Sequence, residues 1–236
     1  QKLNPSQQQA VIKALNSENI GLIQGPPGTG KTKVIKEIIG QVVTKSIKTA
    51  DSPRILIVSQ SHTAVDNILE GLDSTISDDL EIVRIGADKN VSPKISCRYT
   101  MPAHRDKLFS DVKKNVEKYD KRMEEVYQDI SDQRILDRWK KIKEIQEDWI
   151  DRSVEKDCLD YQLVRSATVI AGTCVGFLAN SFVKDMEFDY VIIDEAAKAT
   201  TPELLVSIIK AKKIILVGDQ NQLPACLLYT SPSPRD

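Results

Sequence analysis

Gly25-Pro26-Pro27-Gly28-Thr29-Gly30-Lys31-Thr32 is the most informative stretch of this chain, because it fits the phosphate-binding P-loop pattern G-x-x-x-x-G-K-[ST]. Glycines let the backbone curl until successive N–H groups point inward, where they can hold the phosphates of a nucleotide. Lys31 can reach the terminal phosphates as a point charge, and the Thr32 hydroxyl can bind Mg²⁺. The stretch therefore predicts a nucleotide-binding protein.

The residues on both sides of this loop fit a strand followed by a helix. Residues 19–24 form a short apolar run that suits a buried strand. After the loop, six apolar residues recur at helical spacing and share one face: Val34, Ile35, Ile38, Ile39, Val42 and Val43. A strand, a loop and a helix in this order aim the N-terminus of the helix at an anion.

Short, mostly continuous apolar runs recur along the chain and are typical of strands buried on both faces. Such strands occur in a parallel sheet that helices cover on both sides, so we expect an α/β fold with a parallel central sheet. The six runs are Ile20–Ile23, Ile55–Val58, Ile82–Ile85, Val169–Ala171, Tyr190–Ile193 and Ile214–Val217.

The composition changes sharply over residues 105–160, where roughly half of the residues are charged, compared with 28% over the whole chain. Apolar residues recur there at spacings of three and four on either side of Ser131–Gln133, which predicts an antiparallel two-helix insertion; one continuous helix is the alternative. We interpret the pair as a solvated hairpin held by an apolar seam that includes Trp139 and Trp149, rather than as a surface that grips nucleic acid or a partner.

These observations divide the chain into four parts. Residues 1–86 and 167–225 are expected to form the two halves of the nucleotide-binding core, and residues 87–166 a helical insertion subdomain. Residues 226–236 match one reading frame of a sequencing-library adapter in every position, so we interpret them as an adapter-derived, non-native tail. A disordered Ser/Pro-rich terminus is the alternative.

Two further apolar runs end in polar residues that suit phosphate chemistry. Asp194 and Glu195 follow one run and would lie at the carboxyl edge of the sheet, where open α/β sheets bind ligands. Asp194 can hold Mg²⁺, and Glu195 can orient and deprotonate a water molecule. Gln222 follows the last run and could contact the γ-phosphate or the attacking water.

Taken in order, the segments GPPGTGKT, SQSHTAVDN, AGTCVGF, DEAAKAT and GDQNQLP resemble the first RecA-like domain of superfamily 1 helicases. The Upf-like branch, with its senataxin-type and immunoglobulin-mu-binding-type members, is the most similar. This resemblance covers nearly all of residues 1–224. It implies a RecA-like P-loop NTPase domain that uses ATP and Mg²⁺ to move along single-stranded RNA or DNA.

The resemblance also implies roles for individual residues at the nucleotide site. Gln7 would read the adenine edge, and residues 25–32 would bind the phosphates. Lys31, Glu195 and Gln222 would be catalytic, while Thr32 and Asp194 would hold the metal. One departure from the family pattern is Lys198, where the family more often has glutamine, so any polar relay expected there is in doubt.

Four residues resemble the family's contacts with the nucleic-acid backbone: Ser61, Thr63, Thr173 and Cys174. Small hydroxyls and backbone N–H groups can grip phosphates and sugars without reading sequence. His62 lies among them and is interpreted as a surface or packing residue. A second RecA-like domain in a missing C-terminal part would be the other partner, because in the family it supplies arginines to the ATP site.

Composition excludes several other classes. The net charge of -1 gives no overall basic character, so a nucleic-acid site must be local. Four widely spaced cysteines argue against a zinc site or a disulfide framework. The lack of a membrane-spanning run or signal peptide favours an intracellular protein, cytoplasmic or nuclear, with no membrane partner. Two other functions are alternatives to a helicase. One is a signalling or remodelling P-loop ATPase without nucleic-acid translocation, and the other is a scaffold protein with a decayed nucleotide site.

Overall fold

The centre of the protein is a parallel sheet, seen in a computed structural model that describes residues 3–49, 53–72, 80–127, 132–153 and 156–222. All six predicted strands are confirmed within these residues. They are β1 (Ile20–Gln24), β2 (Ile55–Ser59), β3 (Ile82–Arg84), β4 (Val169–Thr173), β5 (Phe188–Asp194) and β6 (Ala211–Gly218). Their order in the sheet is β1-β6-β5-β2-β4-β3, and every pair is parallel. The predicted α/β fold is therefore confirmed.

Helices connect these strands and cover both faces of the sheet. In the described residues the α-helices are α1 (Pro5–Asn16), α2 (Lys31–Thr49), α3 (His62–Glu70), α4 (Pro93–Tyr99), α5 (Met101–Tyr127), α6 (Gln133–Ser153), α7 (Lys156–Ser166), α8 (Ser181–Lys184) and α9 (Thr201–Ile208). The described helices include none that is long and apolar enough to cross a bilayer.

Two hydrophobic layers hold the helices against the sheet, because successive side chains of a strand point to opposite faces. On β2, Ile55 and Ile57 pack in the layer that includes α1, α2 and α3, while Leu56 and Val58 pack in the opposite layer. All six apolar residues of the predicted stripe on α2 are buried in the first layer. Each such side chain stabilises the fold by roughly 1.5–3 kcal/mol when it leaves water.

The insertion contains the two long helices that the sequence predicts, α5 and α6. Asp132 precedes α6 and starts it, since its carboxylate accepts a hydrogen bond from the backbone N–H of Arg134 at 2.9 Å. Lys143 of α6 forms ion pairs with Asp120 and Glu124 of α5, at 3.5 and 3.6 Å, so the helices lie side by side.

The apolar seam of this pair is looser than expected. Met123 and Trp139 are partly buried, whereas the side chain of Trp149, expected in the seam, is 64% exposed. The physical reason is that a helix at the surface buries only the stripe of side chains that faces its neighbours, and its other side chains stay in water.

The boundaries of the parts predicted from sequence remain predictions. Helix α4 lies between residues 87 and 166, yet Ile95 and Tyr99 pack in the same layer as α2. The proposed tail, residues 226–236, lies outside the described residues.

A buried ion pair fixes the end of β3. Arg84 is 1% exposed, and its Nε lies 2.9 Å from Oδ1 of Asp66 on α3. The other carboxylate oxygen of Asp66 accepts a hydrogen bond from Ser92 N at 2.7 Å. Arg84 also donates to the carbonyl oxygen of Ile85 at 2.5 Å. These bonds tie β3, α3 and the segment before α4 together.

We predict that Asp66→Asn destabilises the protein by about 3–5 kcal/mol, because it leaves the buried charge of Arg84 uncompensated. Urea denaturation followed by circular dichroism measures this change. The control is Asp137→Asn on the exposed surface of α6, which should stay within about 0.5 kcal/mol of the unmodified chain. Equal stabilities of the two variants would contradict the prediction.

Candidate functional site

The carboxyl ends of all six strands meet at one edge of the sheet, because the strands are parallel. The segments that carry the predicted site residues leave the sheet at this edge. They follow β1, β2, β4, β5 and β6, and their residues are 25–32, 61–63, 173–174, 194–195 and 219–222. The fold alone therefore collects five separate stretches of sequence at one surface.

The P-loop connects β1 directly to α2, as predicted. Gly28 and Gly30 adopt φ angles of 78° and 81°, which favour glycine and curl the loop. A Cβ atom on Gly30 would lie only 2.6 Å from Nε2 of Gln7, so any larger residue there would displace the Gln7 side chain. The N–H of Gly25 donates to the carbonyl oxygen of Gly218 at 3.1 Å, which ties the loop to the end of β6.

Two side chains brace this loop. Thr29 donates its hydroxyl hydrogen to the carbonyl oxygen of Pro26 at 2.7 Å. Gln7 donates from Nε2 to the carbonyl oxygen of Thr29 at 2.9 Å, while its Oε1 accepts from Asn4 N at 3.0 Å. Gln7 thus connects the start of α1 to the P-loop. Its reading of adenine remains a prediction.

Lys31 opens α2 and turns its side chain back over the loop. Its ammonium donates to the carbonyl oxygens of Gly25 and Pro26 at 2.6 and 3.1 Å. The positive charge therefore lies inside the curl of the loop, at the N-terminus of a helix, where an anion is attracted by both. Thr32 follows in the first turn of the same helix.

Asp194 ends β5 as a buried carboxylate, 7% exposed. Burial raises its pKa and the charge of Glu195 raises it further, while the positive charges of Lys31 and Lys198 act in the opposite direction. Its Oδ1 accepts a hydrogen bond from Glu195 N at 2.9 Å. A carboxylate in this position would be favoured in its charged form by a bound cation.

Glu195 has a left-handed backbone conformation. Its φ of 53° is left-handed, and among the described residues it is the one non-glycine residue with a positive φ. Such a conformation costs about 1–3 kcal/mol and concentrates at functional sites. Lys198, the residue that departs from the family pattern, donates to the Glu195 carboxylate at 2.8 Å. The predicted general base is thus paired with a cation three residues away.

Gln222 lies in the turn after β6. Its backbone N–H donates to the carbonyl oxygen of Asp219 at 3.2 Å, and its Nε2 lies 3.4 Å from Oδ2 of the same residue. Asp219 is buried and also accepts from Asn221 N at 3.1 Å. We assigned Asp219 no role from sequence, yet it organises the turn that presents Gln222.

Three of the four residues expected to contact nucleic acid lie at the accessible surface of the sheet edge. Ser61 caps α3, accepting from Ala64 N at 3.1 Å, and Thr63 is exposed in the first turn of that helix. Thr173 ends β4 and accepts a hydrogen bond from Gly176 N at 3.1 Å. Their contacts with a strand remain a prediction.

Cys174 occupies a different environment. It is 2% exposed, and its N–H donates to the carbonyl oxygen of Ser59 at 3.0 Å. Burial, together with the charge of Glu203, raises the pKa of its thiol to about 11. Cys174 is therefore a packing residue in this structure, and its burial argues against the contact with nucleic acid that we predicted for it.

A hydrogen-bonded path links Gln60, just after β2, to the residues that follow Asp194. Gln60 donates from Nε2 to Oε2 of Glu203 at 2.5 Å. The same oxygen accepts from the N–H and hydroxyl of Thr200 at 2.8 and 2.7 Å. Sequence reasoning missed this path, because glutamine and glutamate at a loop and a helix start have no distinctive spacing.

Comparison with known proteins agrees with this geometry. The family described as "AAA domain" matches residues 2–229. An uncharacterized ATP-dependent helicase of Methanocaldococcus jannaschii is 32% identical over 96% of this chain and 38% of its own length. The ATP-dependent helicase upf1 of Schizosaccharomyces pombe is 32% identical over 94% of this chain and 22% of its own length. The DNA replication ATP-dependent helicase/nuclease DNA2 of Saccharomyces cerevisiae is 31% identical over 94% of this chain and 11% of its own length.

The chain thus spans less than two fifths of the length of these relatives, 38% in the first of them. Within that span the match runs through the P-loop, the acidic end of β5 and the turn after β6. This chain belongs to the AAA-domain family and, within it, to the Upf-like branch of superfamily 1 helicases, whose RecA-like motor domain it covers.

Proposed function

We propose that this chain is the ATP-binding motor domain of an ATP-dependent helicase or translocase that moves on single-stranded RNA or DNA. The observation that carries the proposal is the placement of Lys31 inside the curl of the P-loop, at the N-terminus of α2. That arrangement suits the terminal phosphates of a nucleoside triphosphate. The relatives named above are ATP-dependent helicases, which supports the choice of ATP and of a nucleic-acid track.

The residues at the sheet edge fit a bound Mg²⁺. Mg²⁺ in nucleotide sites takes one or two protein ligands and completes its shell with phosphates and water. The buried carboxylate of Asp194 and the Thr32 hydroxyl are such a set. In the described part of the chain, no group of three or more histidine, cysteine, aspartate or glutamate residues is arranged to hold a metal ion by itself. When bound, the metal would neutralise charge on the phosphates.

The chain's own residues then have separate tasks. The backbone N–H groups of the P-loop and Lys31 bind and orient the phosphates. Glu195 accepts a proton from the attacking water, and Gln222 contacts the γ-phosphate or that water. A second RecA-like domain, elsewhere in the same protein, would add the positive charge that the transferring phosphoryl group needs, a contribution of about 10³–10⁵ in rate.

We predict that Lys31→Ala weakens nucleotide binding roughly 10- to 100-fold, because it removes a charged donor to phosphate. Titration with a fluorescent ATP analogue in the presence of Mg²⁺ measures the affinity. The control is Lys114→Ala on the exposed surface of α5, which removes the same charge away from the P-loop. Equal affinities of the two variants would contradict the assignment of Lys31.

The chain alone should bind ATP but hydrolyse it slowly, and single strands should not stimulate it. The reason is that the arginines of a second domain are needed to stabilise the transition state. The rate of phosphate release, with and without a 12-nucleotide RNA or DNA, measures the hydrolysis and its stimulation. Strand-stimulated turnover that Lys31→Ala abolishes would show that the chain is a complete motor.

We predict that Lys198→Gln speeds hydrolysis two- to fivefold without changing nucleotide affinity. The substitution frees the Glu195 carboxylate from an ion pair, and a partly exposed pair stabilises by up to about 1 kcal/mol, which corresponds to about fivefold in rate. The rate of hydrolysis is measured in single-turnover experiments with radiolabelled ATP and the chain in excess, since these detect slow hydrolysis. The control is Lys212→Gln, which breaks the ion pair with Asp189 away from the site. A slower Lys198→Gln would mean that the lysine holds Glu195 in its working position.

A further inference from the structure

The C-terminal part of α5 and the adjoining part of α6 carry exposed apolar side chains. Helix α5 begins beside the sheet, where Met101 packs against the hydrophobic layer opposite α2. Its residues 119–126 lie about 27–38 Å further along the helix axis. The exposed side chains, which are between 40% and 62% accessible, are Tyr119, Val126, Ile135, Ile142 and Ile145. We refer to these five residues as the hairpin patch.

The members of the hairpin patch share one side of the helix pair. Lys143 and Asp120 form the ion pair that joins the helices at 3.5 Å, and each is directly preceded by a patch residue, Ile142 and Tyr119. A residue one position earlier is turned by about 100° around its helix. Because helices joined by a short connection run antiparallel, this turn leads to the same side of the pair in both helices. The other three members lie three or seven residues from these two and therefore share their faces.

Three exposed basic residues, Arg122, Arg138 and Lys141, border the patch. Their spacing places them there: Arg122 lies three residues after Tyr119, and Lys141 lies four residues before Ile145. Arg138 lies three residues after the first isoleucine of the patch and four before the second. Among the residues that the structure describes, none forms an ion pair with any of the three. The patch is therefore an apolar surface with a positively charged border that no ion pair neutralises.

The chemistry of the patch favours an acidic protein helix over other occupants. All of its members except Tyr119 are aliphatic, so it offers little flat surface on which bases could stack. A second copy of the chain would bring its own basic border against this one, and like charges across an interface repel. The groove between two helices that lie side by side accepts a third helix, as in helical bundles.

We propose that the hairpin patch binds an acidic amphipathic helix of another protein. The apolar face of that helix lies on the isoleucines of the patch, and its glutamates or aspartates lie beside Arg122, Arg138 and Lys141. The inference goes beyond the motor function and does not depend on it. It also differs from our interpretation of the sequence, in which the hairpin is a solvated pair without a partner.

The first test compares two designed peptides of about 18 residues, long enough to form a helix. Both have leucines at the a and d positions of a heptad, and the e and g positions are glutamate in one peptide and lysine in the other. Fluorescence polarisation at 0.1 M salt measures their binding to the chain. The acidic peptide should bind at least tenfold more tightly, because its charges are opposite to those of the border. Equal affinities, or no binding of the acidic peptide, would overturn the proposal.

Reversing the charge of the border should reverse this preference. A chain with both Arg138→Glu and Lys141→Glu should bind the lysine peptide more tightly than the glutamate peptide. The matched control carries Lys121→Glu and Lys140→Glu, two exposed positions on the same helices. Each lies two residues from a patch residue and is turned by about 200° to the opposite side, so this control should keep the original preference. A reversal in both chains would mean that net charge alone decides binding, and would contradict the assignment to the patch.

The apolar part of the patch is tested at Ile142. Ile142→Gln should weaken binding of the acidic peptide roughly tenfold, because it removes an apolar side chain that the complex buries. Ile142→Leu keeps an apolar side chain of similar volume and should stay within about twofold of the unmodified chain. Thermal melting checks that both variants are folded. Unchanged affinity of Ile142→Gln would show that the peptide does not cover the patch.

Other occupants would give different results, and each would overturn the proposal. Binding of a 12-mer of uridine or thymidine that Arg138→Glu with Lys141→Glu abolishes would assign the patch to nucleic acid. Binding to vesicles of phosphatidylcholine and phosphatidylserine that Ile142→Gln abolishes would assign it to a lipid surface. A dimer in sedimentation experiments that Ile142→Gln dissociates would assign it to a second copy of the chain.

Discussion

The six strands of the sheet all run in the same direction, and this parallel arrangement places every carboxyl end at one edge of the sheet. Segments that are up to about 200 residues apart in sequence meet there without any long-range recognition of their own. The hydrogen bond from Gly25 N to the carbonyl oxygen of Gly218, 3.1 Å long, shows how close the first and last of them come. Helices cover both faces of the sheet, so this edge is where ligands can reach the strand ends.

Charge at this edge is arranged differently in its two halves. Near the P-loop, the positive charges of Lys31 and Lys198 both lower the pKa of the buried Asp194 carboxyl, against the effect of its burial, which raises that pKa. Beside the ends of β3 and β4, the charge of Arg84 is instead paired with Asp66 beneath the surface. The path from Gln60 through Glu203 to Thr200 joins the two halves by hydrogen bonds.

The helical insertion shows where pattern alone is a weaker guide. The spacing of its apolar residues correctly predicted two long helices, since a helix needs only local periodicity to be recognised. The same spacing led us to expect a closed seam, whereas Trp149 is largely exposed. How much of a stripe is buried depends on the number of neighbours, and the sequence of one helix does not contain that information.

The amino-acid sequence was enough to recognise the six strands, the P-loop and the family to which the chain belongs. Continuous apolar runs are required for strands buried on both faces, and the P-loop needs glycines at positive φ and a lysine at the helix start. The tertiary structure was needed to show that Lys198 pairs with Glu195, that Cys174 is buried and that Arg84 lies against His62. Arginine in the apolar run Ile82–Ile85 was the one signal of the last contact. Such pairings depend on distances between segments that the chain brings together only when it folds, and a side chain's type does not reveal which partner it will meet.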